Sequence, residues 1–188
     1  MLSAKRHEPR SPFPRLPDAF KARYGVGDLT LRPFGLRETD LEVDFTVRPR
    51  PLLVTQILEC CTTAAEREKV DPSFFWDLTV GKRIECLLTI ATSGGRSGVT
   101  LQLRCPNEAC GQQSELDISV EELAGLQNPT REAERFPIRR GEERLFIRRP
   151  TGSDQLAWLT GRFASEDEAV RSMIRTLISV DEQGTSVL

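Results

Sequence analysis

Apolar positions along this chain follow two periods, and the switch between them marks its elements. Val80, Ile84, Leu87, Leu88 and Ala91 recur at helical spacing, which predicts a helix over 79–92 with that stripe against a core. Leu53, Ile57, Cys60 or Cys61, and Ala64 predict another over 52–67. Val170, Met173, Ile174, Leu177 and Ile178 mark a last helix, opened by Ser165 with Glu168 as a capping box. Asp71-Pro72-Ser73 opens a short helix in which Phe74, Phe75 and Trp76 supply core bulk. Pro150 to Asp154 opens one carrying Leu156 and Trp158, and Ser119 with Glu122 opens one ending near Gly125.

The two-residue period belongs to strands. Val99, Leu101, Leu103 and Cys105 alternate with Thr100, Gln102 and Arg104, and Leu116 and Ile118 alternate with Glu115 and Asp117. This predicts a hairpin that buries one face, its arms joined through Cys105-Pro106-Asn107-Glu108-Ala109-Cys110-Gly111. A second hairpin is predicted around Gly141-Glu142-Glu143. Leu29, Leu31 and Phe34 suit a short strand, and Leu41, Val43 and Phe45 a second strand or a surface arm. The sum is an α+β fold: a mainly helical core with two small antiparallel β-hairpins, one tipped by the two cysteines. The first hairpin is expected to share a core with the helices at 52–67 and 79–92.

Pro9, Pro12, Pro14 and Pro17 stand among Lys5, Arg6, Arg10 and Arg15, so residues 1–27 read as a basic, extended arm that orders on a partner, or as a frayed terminus. Residues 28–126 then form the main helical unit with the cysteine-tipped hairpin. Residues 127–188 hold the second hairpin and the last helices, with a hinge at 125–134. The 26 basic and 28 acidic residues leave a net charge of −2, so no global field draws the chain to nucleic acid or anionic lipid. No apolar run reaches the ~20 residues of a membrane span, and no signal-peptide core is present, which places the expectation in the cytoplasm.

Five cysteines, odd in number and irregularly spaced, point to thiols or metal rather than a disulfide framework. Cys105 and Cys110, separated by four residues and followed by Gly111, have the form of half a zinc ribbon. Cys60 or Cys61 can supply a third ligand to a structural zinc ion, and an acid or His7 a fourth. The alternative is a metal-free turn with two partly buried thiols. Glycine-rich Ser93–Gly98 precedes a strand rather than a helix, which excludes a phosphate loop, and the single histidine lies in the proline-rich arm. Glu66, Glu68, Asp71, Asp77 and Glu85 form no carboxylate pair, so the chain reads as non-enzymatic. Arg139, Arg140, Arg148 and Arg149 make a basic strip on the second hairpin, a candidate contact for a protein partner. With Arg104 and the cysteine turn, they also define the competing reading of a zinc-ribbon-like nucleic-acid-binding module, against which the acidic balance stands.

The order of short motifs adds a resemblance. Asp77-Leu78-Thr79-Val80-Gly81-Lys82-Arg83, Leu87-Leu88, a glycine break, Leu103-Arg104-Cys105-Pro106, Cys110-Gly111, Leu116-Asp117-Ile118 and Arg149-Pro150-Thr151-Gly152-Ser153-Asp154-Gln155 together resemble the baseplate hub and hub-assembly chaperone family of contractile-tailed phages and related contractile injection systems. The likeness runs from about Leu29 to Gly184, and the proline-rich start lies outside it. Similar proteins carry a cysteine in the preceding helix, at the place of Cys60. The resemblance implies a protein that builds or belongs to a phage tail-like baseplate, acting by binding hub or spike subunits, either as a transient assembly chaperone or as a structural protein of the finished particle.

Overall fold

The computed structural model describes residues 8–65, 69–93, 95, 98–119, 122 and 135–180. Among them are six α-helices and three small antiparallel sheets, a mixed α+β architecture. The first sheet joins β1 (Ser11–Pro12), β2 (Leu29–Leu31) and β3 (Thr62–Ala64) in that order, with Leu31 opposite both Ser11 and Thr62. The second pairs β4 (Gly98–Arg104) with β5 (Gln113–Ser119), and the third orders β6 (Arg135–Arg140), β7 (Glu143–Arg148) and β8 (Ile178–Ser179). Both expected hairpins are present; β8 adds a strand where the last helical stripe was expected to continue.

The helices are α1 (Asp18–Tyr24), α2 (Arg50–Cys61), α3 (Pro72–Asp77), α4 (Val80–Thr92), α5 (Gly152–Thr160) and α6 (Glu166–Leu177). α1 departs from the expectation of an extended arm. All four prolines precede it, and Pro17 stands at its N-cap, so no proline interrupts a turn. What orders the stretch is aromatic packing: Phe13, Phe20 and Tyr24 each lie within 6 Å of the Phe74 ring, which also meets Phe75 edge-on. Leu16 and Val26 join the same core, with Leu29, Leu31, Leu58, Cys61, Leu78, Cys86 and Ile90.

α2 stops at Cys61, short of the expected 67, because β-branched Thr62 and Thr63 pair with β2 instead. Its buried positions are Pro51, Leu53, Thr55, Leu58 and Cys61, so Ala64 belongs to a strand and Ile57 sits at the edge of the core. The segment 41–45 is neither strand nor hairpin arm. A 3-10 helix at Glu38–Glu42 turns Asp40 inward and leaves Leu41 86% exposed.

Apolar side chains remain open to solvent on three elements. α4 is rotated by about one residue from the expected stripe: Arg83, Cys86 and Ile90 face inward, and Ile84 is 52% exposed. The β4–β5 hairpin does not share the core as expected. Its Leu101, Leu103 and Leu116 are 40%, 48% and 46% exposed, although they lie on one face with Val99 and Ile118. On the opposite face Thr100 donates to Asp117 and Gln102 to Glu115 across the strands. α6 likewise buries none of its residues, with Val170 and Ile174 exposed. The expected hinge at 125–134 and the body of the helix after Ser119 fall almost wholly outside the described residues, as do His7 and the turn expected at 181–184. The capping box itself is formed, Glu122 N–H donating to Ser119 Oγ at 3.1 Å and Ser119 N–H to Glu122 at 2.8 Å.

Candidate functional site

The segments 77–83 and 149–155, far apart in sequence, meet face to face. Thr79 and Thr151 form an isolated antiparallel bridge, the Val80 N–H donates to the Pro150 carbonyl at 2.8 Å, and the Gly152 N–H donates to the Leu78 carbonyl at 3.1 Å. Each segment caps its own helix as it arrives. Thr79 Oγ1 accepts from the Lys82 N–H, and Thr151 and Asp154 form a reciprocal box at the start of α5. α5 thereby packs against α2, α3 and α4.

Arg83 sits at the centre of this junction, almost fully buried. Its Nη1 donates to the Phe75 carbonyl at 2.7 Å, and its Nη2 to the Pro51 carbonyl at 2.7 Å and to Thr55 Oγ1 at 2.9 Å. The guanidinium carbon stands 5.0 Å from the centre of the Trp76 ring. Burial lowers its pKa to about 10. One cation thus ties the N-terminal turn of α2 and the end of α3 to α4. Gly152 is what lets α5 approach: a Cβ there would lie 2.3 Å from Arg83 Nη1.

A second ionic anchor lies beside the first sheet. Asp40 accepts from Arg32 Nη1 at 2.7 Å and Nη2 at 2.5 Å, and from the backbone N–H groups of Gly35, Leu36 and Arg37. The hydrogen bonds from Arg32 hold its pKa down at about 2. Arg32 also donates to the Cys60 carbonyl at 2.7 Å, and Glu8, bound bidentately by Arg37, lies 3.7 Å from Arg32 Nε.

Cys105 and Cys110 both fall in the connection between β4 and β5. The Cys105 N–H donates to the Gln112 carbonyl at 2.9 Å, extending the ladder by one rung, and the Cys110 N–H donates to the Asn107 carbonyl at 2.9 Å. Gly111 follows with φ +58°, the left-handed conformation that turns the chain back into β5. Cys110 is exposed and Cys105 half-buried. Cys60 stands elsewhere, half-buried on α2 against the core, where burial raises its pKa. Among the described residues no three His, Cys, Asp or Glu side chains gather into a group that could hold a metal ion. Cys61 and Cys86 are core residues whose pKa values burial pushes up, for Cys61 to about 12.

The four arginines of the second hairpin do not share one face. Arg139 and Arg140 are neighbours on β6 and point to opposite sides. Arg148 is engaged inward, donating to Asp154 at 2.5 and 2.8 Å, and Arg149 lies 5.1 Å over the Phe136 ring. Burial alone would raise the Asp154 pKa; the hydrogen bonds from Arg148 and Thr151 outweigh it and leave the carboxyl below its ordinary range.

Compared with family models, curated proteins and solved structures, the chain matches none of them. No helix among the described residues is long and apolar enough to cross a membrane.

Proposed function

We propose that this chain is a non-enzymatic binding protein that helps assemble, or forms part of, the baseplate of a phage-like contractile tail or injection system. The observation that carries the reading is the junction of 77–83 with 149–155. These are the two outer motifs of the resemblance, and they belong to one hydrogen-bonded unit built around Arg83 and Gly152. A resemblance resting on scattered motifs gains weight when its most distant members depend on each other physically.

The surface suits a protein that works by contact. Leucines of the β4–β5 hairpin and the Val170 and Ile174 stripe of α6 stand open to solvent on opposite sides of the second hairpin in sequence, and such apolar patches mark protein interaction sites. Arg139 and Arg140 add exposed positive charge, each on its own face, while Arg148 and Arg149 serve local packing. The expected partners are hub or spike subunits. Affinity purification of the tagged full-length chain from the producing cell tests this: co-purification of hub components supports it, and their consistent absence from the captured fraction would end it.

A further inference from the structure

We propose that Cys105 and Cys110 are half of a four-thiolate zinc site, completed by the same two cysteines of a second copy of this chain. This inference is independent of the baseplate reading. A structural zinc ion takes four ligands, and a pair separated by up to four residues at a turn is a common half-site. Here the pair is carried by a turn whose backbone is already closed by the Cys105 to Gln112 and Cys110 to Asn107 hydrogen bonds, with Gly111 in the left-handed conformation immediately after the second thiol. The described residues of one chain add no third ligand to it.

The hairpin that carries the pair also says what covers it. The ladder sets Leu101 opposite Leu116 and Val99 opposite Ile118, and Cys105 follows Leu103 at the same alternation, so the first thiol ends an apolar face rather than a polar one. That face is open, while the other face is satisfied by the Thr100–Asp117 and Gln102–Glu115 hydrogen bonds. A two-fold axis running along the strands brings two hairpin tips together and lays the two leucine faces on each other at once. A second copy supplies both needs at once, a matching leucine face and the two missing thiols. On binding, four thiols release their protons to solvent and the four thiolates share one Zn2+.

The test is zinc content and mass of the full-length chain, purified under reducing conditions from zinc-supplemented cells, by elemental analysis and light scattering. One zinc per two chains in a dimer is expected, with a strong chelator returning monomers. Cys110→Ser gives a zinc-free monomer with an unchanged far-ultraviolet circular dichroism spectrum. Leu101→Glu keeps every thiol and weakens dimerisation by at least about tenfold, because it charges the leucine face. A monomer holding one zinc, a zinc-free dimer, a zinc-free monomer of the unaltered chain, or a Leu101→Glu variant that dimerises as tightly as the parent would each overturn the proposal.

Discussion

Replacing Asp40 by Asn tests whether the 3-10 helix at Glu38–Glu42 is held by charge or by shape. The carboxylate is fully enclosed and accepts five hydrogen bonds, two of them from the buried Arg32 guanidinium. Asn keeps the volume but leaves Arg32 a buried cation whose nearest remaining carboxylate, Glu8, stands 3.7 Å away. Breaking a buried pair from one side costs about 3–5 kcal/mol, and Glu8 places the expected loss near the lower figure, about 3 kcal/mol at pH 7. The pH dependence is a second, independent signature. The folded pKa of about 2 lies below the ordinary 3.8, so the stabilisation is complete above about pH 4 and is lost as pH falls through 2. A difference of that size corresponds to about 2 kcal/mol. Urea unfolding of both proteins from pH 7 to pH 2 measures it, and the difference between them cancels the other acids that titrate in the window. The gap should narrow by about 2 kcal/mol at the acid end. A variant within 0.5 kcal/mol (about the spread of ordinary surface substitutions) at pH 7, or a gap independent of pH, would refute the electrostatic account.

Two glycines give opposite signs. Gly152→Ala drives a methyl into the Arg83 guanidinium, which three hydrogen bonds hold in place, and should cost about 1–3 kcal/mol in urea unfolding. Gly81→Ala, in the exposed first turn of α4 with nothing within 4 Å of the new Cβ, should stabilise by about 0.5–1 kcal/mol. Leu58→Ala empties a fully buried core position and should cost about 2–5 kcal/mol, whereas Leu41→Ser should change stability by less than about 0.5 kcal/mol.

Local chemistry was the legible part of this sequence. The helix openings at Asp71, Ser165 and Thr151 are made by short-range hydrogen bonds, and each stands where its residues predicted. Both hairpins follow from alternation and their turns. What resisted reading was the assignment of faces. Arg83 counts as polar in any periodic pattern, yet it turns inward because Phe75, Pro51 and Thr55 offer acceptors from two other elements, and α4 rotates with it. Asp40 defeats the alternation of Leu41, Val43 and Phe45 for the same reason, since its partner Arg32 lies across a turn. α1 was hidden by the prolines before it; the spacing of Phe13, Leu16, Phe20 and Tyr24 was the signal that an aromatic cluster would order the stretch. Adjacency groups the arginines at 139–149 into one strip, whereas strand alternation separates Arg139 from Arg140 and Asp154 draws Arg148 inward.

We propose that this chain acts by binding during construction of a contractile tail. In-frame deletion in the producing cell, followed by counting intact tail particles by electron microscopy, tests it most directly. The expected outcome is a loss of assembled particles that the full-length chain supplied in trans restores. Particles of normal number and form in the deletion strain would contradict it.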